Sequence, residues 1–149
     1  MNELEKAGSG RIVASMGIEG RPTTYTVYRV RRPFLDHNHD LLVGFSKALN
    51  RGLEWVRNHS AEEIAERIKT FFPGTDLENI ATIVDRYEGQ GTWPASVAID
   101  PRGFENLQRT MESADRLDDR VSFEVLMTND VVDRAEVVTE RRSTEDAVK

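Results

Sequence analysis

Apolar positions change their period along the chain, and the changes mark where elements begin and end. Leu4 and Ala7 lie one helical turn apart, so Met1–Ala7 reads as the last turn or two of a helix. Gly8-Ser9-Gly10 then supplies a C-cap and a turn. Arg11–Met16 (Arg-Ile-Val-Ala-Ser-Met) reads as a short strand and Gly17–Pro22 as a loop. Thr23–Arg31 alternates, with Tyr25, Val27 and Arg29 on one side and Thr24, Thr26, Tyr28 and Val30 on the other. β-branched and aromatic residues at period two predict a second strand. Beyond Pro33 the period lengthens. Leu41, Leu42, Phe45, Ala48, Leu49, Leu53 and Val56 fall at helical spacing, which predicts a long amphipathic helix from Asp36 or Asp40 to about Asn58.

Local end signals divide the rest. Ser60-Ala-Glu-Glu63 has the pattern of a capping box, opening a helix with Ile64, Ala65, Ile68, Phe71 and Phe72 that stops at Pro73-Gly74. Asp76 opens the next, with Leu77, Ile80, Ala81, Val84 and Tyr87, and Gly89 to Gly91 ends it. Thr92–Ile99 holds Trp93-Pro94 and reads as extended or looped. Asp100-Pro101 is a helix start, aspartate at N-cap and proline at N1, for a helix with Phe104, Leu107, Met111 and Ala114. Ser122 is placed to cap a short last helix with Phe123, Leu126 and Met127. Residues 131–149, Val131–Lys149, are charged and aperiodic and read as a frayed or disordered tail, leaving 1–130 as the folded part. About two strands followed by four to five helices are an incomplete α/β object. Two strands alone are marginal, and four amphipathic helices need a surface to cover.

Composition narrows the function classes. The 149 residues are 38% hydrophobic and 31% charged, enough apolar material for a core. A net charge of −6 with both signs interspersed argues against a nucleic-acid partner. It leaves a small anionic ligand open, because local groups bind such ligands. The absence of cysteine excludes disulfides, thiolate metal sites and cysteine nucleophiles. Met1–Gly10 has no apolar run of the signal-peptide kind and no stretch approaches a membrane span, so the chain as written is expected in the cytoplasm.

Four stretches carry a resemblance. They are Leu4-Glu-Lys-Ala-Gly8 with Gly10-Arg-Ile-Val-Ala14; Thr24-Tyr-Thr-Val-Tyr28 with Arg32-Pro-Phe-Leu35; Phe71-Phe-Pro-Gly74 with Arg86-Tyr87 and Gly91-Thr-Trp-Pro94; and Ile99–Gln108 with Val121-Ser-Phe-Glu-Val-Leu126. In this order the chain resembles, from Leu4 to Asn129, the C-terminal half of the substrate-binding proteins of ABC transporters, of the nitrate/sulfonate/taurine and thiamine-pyrimidine-precursor type. The resemblance implies part of a periplasmic-binding-protein type II fold, a two-lobed α/β clamshell that closes on a solute by hinge motion. It implies a small-molecule solute and an ABC permease as partners, with a complementing N-terminal half or a homo-oligomer completing the clamshell. The intact family member would be periplasmic or membrane-anchored. Members run about twice this length, so the chain reads as a truncated or split form that binds little alone.

The resemblance places Thr23, Thr24, Tyr25 and Tyr28 at or near the interlobe cleft, where hydroxyls and amides can hold a small polar group. Strand propensity alone would put the same residue types there. His37-Asn-His39 with Asp36 and Asp40 has permissive spacing for a metal, although acids at a helix start are ordinary. His59 suits a surface or capping position, and Trp55 and Trp93 suit packing. Gly17-Ile-Glu-Gly-Arg21 lacks the spacing of a phosphate loop. No catalytic set is apparent, so the reading is a binding protein and not an enzyme, with no cofactor and no metal. The alternatives are a pyrimidine-precursor synthase-like protein and a stand-alone helical interaction protein.

Overall fold

The computed structural model describes residues 4–5 and 7–136. Residues 1–3, 6 and 137–149 lie outside the described residues. They hold much of the expected N-terminal helix and most of the expected tail. Helices follow in the order α1 (Met16–Glu19), α2 (Arg32–His37), α3 (His39–Arg57), α4 (Ala61–Ile68), α5 (Leu77–Gly89), α6 (Pro101–Ser113) and α7 (Phe123–Leu126). A 3-10 turn covers Lys69–Phe71, and a last helical stretch, α8, covers residues 130–136, all but its first residue in the segment read as a tail.

Among the described residues there is no strand and no sheet. The expected α/β architecture, a partial periplasmic-binding-protein type II fold with strands at Arg11–Met16 and Thr23–Arg31, is corrected to helices joined by irregular segments. A strand persists only where neighbours take up its backbone groups, and here other groups take some of them. The Ile12 N–H donates to the Glu5 carboxylate at 2.9 Å. From Ser15 the chain already turns into α1, with Ile18 N–H donating to the Ser15 carbonyl. In the second expected strand the Thr24 N–H donates to the Gly103 carbonyl at 3.1 Å. Residues 21–31 otherwise form no turn, bend or helix.

The chain divides into two compact units. One contains the described residues of Met1–Arg21 together with Gly52–Ala95. Its core is Ile64, Ala65, Ile80 and Val84, with Trp55, Val56, Ala61, Ile68, Ala81 and Trp93 packed around them. The capping box expected at Ser60 is formed. Glu63 N–H donates to the Ser60 hydroxyl at 3.3 Å, and Ser60 N–H donates back to the Glu63 carboxylate at 2.8 Å. Asp76 caps α5 by accepting from Asn79 N–H at 2.7 Å. Gly91, at φ +62°, closes α5: its N–H reaches the Glu88 carbonyl at 2.8 Å and Thr92 N–H reaches that of Tyr87 at 3.1 Å. This is the Schellman pattern, and its left-handed residue is cheapest as glycine.

The other unit is Pro22–Arg51 with Ser96 onward. The long amphipathic helix expected from Asp36 or Asp40 to about Asn58 is present as α3, with the later of the two starts: Asn38 at φ −125°, ψ 32° leaves the helical region, its amide donates to the Phe34 carbonyl at 3.1 Å, and the short α2 lies before it. Asp100 caps α6 by accepting from Arg102 N–H at 3.0 Å, with Pro101 in the first turn, as the sequence predicts. Phe104 is buried and meets Phe123 edge-on at 5.8 Å. Val132 and Ala135 of α8 are buried too. Where a sheet would have used a ladder, side-chain amides hold the extended stretches. Asn129 accepts from Ile99 N–H at 2.9 Å and donates to the Ile99 carbonyl at 3.0 Å. Gln108 does the same for Val121 at 2.7 and 3.0 Å. Asn50 accepts from Val97 N–H at 2.9 Å.

Candidate functional site

The four residues singled out as ligand contacts, Thr23, Thr24, Tyr25 and Tyr28, share one irregular stretch of the second unit, moored to the start of α6. The Asn106 amide donates to the Pro22 carbonyl at 2.9 Å, and Thr24 donates through its N–H to the Gly103 carbonyl. The Thr24 hydroxyl points the same way, 3.4 Å from the Asp100 carbonyl. Gly103 permits this approach. A Cβ there would lie 2.8 Å from the Thr24 Oγ1 and 3.1 Å from its backbone nitrogen. Thr24 therefore anchors the stretch. Tyr25 and Tyr28 face solvent, 89% and 75% exposed, and the Tyr28 ring rests edge-on against Phe45 at 4.9 Å. Two phenolic side chains are thus presented from a backbone fixed at its threonine end, an arrangement able to offer hydroxyl donors and ring faces to a ligand or partner.

A second candidate, within the first unit, was not singled out from the sequence as a site. Trp55, His59, Glu63, Glu66 and Arg67 line an open depression of about 480 Å³. The indole and imidazole rings stack at 4.0 Å, 23° from parallel. The His59 Nδ1 lies 2.6 Å from the Trp55 carbonyl, so it donates there and leaves Nε2 as the outward nitrogen. The Arg67 guanidinium lies 5.6 Å from the indole centroid, within cation–π range. Glu63 is engaged in the capping box, which leaves Glu66 as the carboxylate without a capping duty. The i, i+4 spacing of Trp55, in the last turn of α3, and His59, two residues beyond its end, was the available signal. A smaller hollow of about 370 Å³ in the second unit is lined by Phe104, Gln108, Arg120, Val121 and Phe123 among others.

The two histidines of the His-x-His element fall on successive helices. His37 ends α2, its Nδ1 donating to the Pro33 carbonyl at 2.7 Å, while His39 begins α3 with its Nδ1 buried and unpartnered. Among the described residues no group of three or more His, Asp or Glu side chains is placed to hold a metal ion. No described helix is long and apolar enough to cross a membrane. Glu5, which accepts from Ile12 and pairs with Arg86 at 2.6 Å, has its carboxyl held below the usual range, first by the Ile12 N–H and then by the guanidinium.

No family model matches the chain, and no solved structure does. Among curated proteins it is similar to YtlA of Bacillus subtilis (strain 168), provisionally named as a binding protein, with 32% identity over 131 residues. That alignment covers 88% of this chain and 39% of YtlA, so the chain spans well under half the length of the relative it matches. The name denotes binding and not catalysis.

Proposed function

We propose that this chain belongs to the solute-binding component of an ABC importer of the nitrate/sulfonate/taurine type. Its solute is a small anion or heterocycle such as a sulfonate, nitrate, taurine or a pyrimidine precursor. The similarity to YtlA over nearly the whole chain carries the reading. The four family-like stretches from Leu4 to Asn129 support it. In this reading Tyr25 and Tyr28 contact the solute, Thr23 lies beside them, and Thr24 fixes the backbone that presents them. The loaded component is periplasmic or membrane-anchored and delivers the solute to a permease. A role in binding accords with the absence of a recognisable catalytic set in the sequence.

The test uses two proteins: the chain itself, and YtlA with its matching segment replaced by this chain. Each is titrated calorimetrically with taurine, an alkanesulfonate, nitrate and an aminopyrimidine. Saturable binding of one solute by either protein, weakened by Tyr25→Ala and Tyr28→Ala, is the expected result. A folded chimera that takes up none of them while YtlA does would overturn the reading.

A further inference from the structure

Residues 24–32 carry a charge that the chain as a whole does not. No acidic residue occurs between Glu19 and Asp36, while Arg29, Arg31 and Arg32 fall within four positions, in a chain of net charge −6. All three arginines are exposed. The described ion pairs lie elsewhere, joining Arg86 to Glu5, Arg109 to Glu105 and Arg120 to Glu112. Among the described residues no carboxylate meets Arg29, Arg31 or Arg32. The backbone is unoccupied as well. From residue 25 to residue 30 no N–H or carbonyl has a backbone partner among the described residues. Val27 and Val30 stand 36% and 47% exposed beside these groups.

We propose that residues 25–31, with Arg32 at the start of α2, are a docking surface for an acidic polypeptide segment lying alongside their extended backbone. On a backbone without turn or bend, Arg29 and Arg31 stand two positions apart, about 6–7 Å along the chain. Carboxylates at alternate positions of a second extended chain have the same repeat. Such a chain also supplies N–H and carbonyl groups in the register that the unoccupied backbone requires, the physics of adding a strand to a free edge. A polynucleotide or a lipid headgroup answers the charge but not the backbone. The inference goes beyond solute binding and does not depend on it.

Fluorescence anisotropy tests it on the purified chain, using a labelled peptide of alternating Glu and Val. A Lys/Val peptide of equal length, an oligothymidylate and phosphatidylglycerol vesicles serve as competitors in charge and class. The acidic peptide is expected to bind and the basic one not. Arg29→Gln with Arg31→Gln and Arg32→Gln, or a rise to high salt, is expected to weaken binding about tenfold. Arg31 and Arg32 adjoin α2, so Arg29→Gln alone, outside every helix, gives the same direction if the triple variant loses helix by circular dichroism. Failure of the acidic peptide to bind, affinity unchanged in the variants, or tighter binding of the oligonucleotide or the vesicles overturns the proposal.

Discussion

Helix α6 ends by the same bonds as α5, but with Asp115 where α5 has Gly91. Asp115 sits at φ 53°, its N–H on the Glu112 carbonyl and the Arg116 N–H on that of Met111. A residue with a Cβ pays for that conformation, aspartate less than most. Asp115→Gly is therefore expected to raise stability by about 0.5 kcal/mol, the relief of the left-handed backbone exceeding the added freedom of the unfolded chain. An increase in the urea midpoint at constant slope would register it. Gly103 presents the opposite case. Alanine would gain up to about 1 kcal/mol in helix propensity. Its Cβ, however, must displace the Thr24 backbone as well as its hydroxyl, at about 1–3 kcal/mol. Gly103→Ala should thus be destabilising in the same assay. Glu5 sets a pH response. Its folded pKa lies below its unfolded one, so its contribution is complete above the ordinary glutamate range and is lost as the pH falls through the depressed value. Glu5→Gln should flatten that part of the acid unfolding curve, while a carbon-13 titration of wild-type Glu5 should report a midpoint below the usual range.

Among the elements, the helix ends were the most legible. Ser60 with Glu63, Asp76, and Asp100 with Pro101 each act through a few consecutive residues, and each forms the cap its sequence announces. The absence of strands was not legible, because period two at Thr23–Arg31 encodes a straight backbone and not the neighbour that would turn it into a sheet. The partners that arise instead are remote: Asn129 serves Ile99 across thirty positions, and nothing in the local pattern announces it. Asn129→Ala strips both partners from the Ile99 backbone and is expected to cost about 1–3 kcal/mol, read as a lower urea midpoint. The start of α3 was legible to within a turn, since Asp40 was one of the two starts that its apolar stripe allows and the helix begins at His39. Of the candidate sites, the positions of Tyr25 and Tyr28 follow from their segment. The Trp55–His59 stack depended on how two ring planes align, which spacing alone does not state.

At the scale of the molecule, the described residues leave much apolar surface in water. Val13, Ile18, Phe71, Val125 and Leu126 are all well exposed, and among the described residues only a handful of aliphatic and aromatic side chains are buried. A patchwork of that kind is expected to light up the dye ANS at neutral pH while far-UV dichroism stays helical. A dark dye would mean that self-association covers those side chains in solution. The division into two units also has an optical consequence. Both tryptophans, Trp55 and Trp93, lie in Gly52–Ala95, whereas the second unit holds Tyr25 and Tyr28 and no indole. Indole emission is therefore a private signal of one unit, while dichroism averages over both. A melt followed in the two signals at once separates a chain that comes apart in a single step from one that loses its halves in turn.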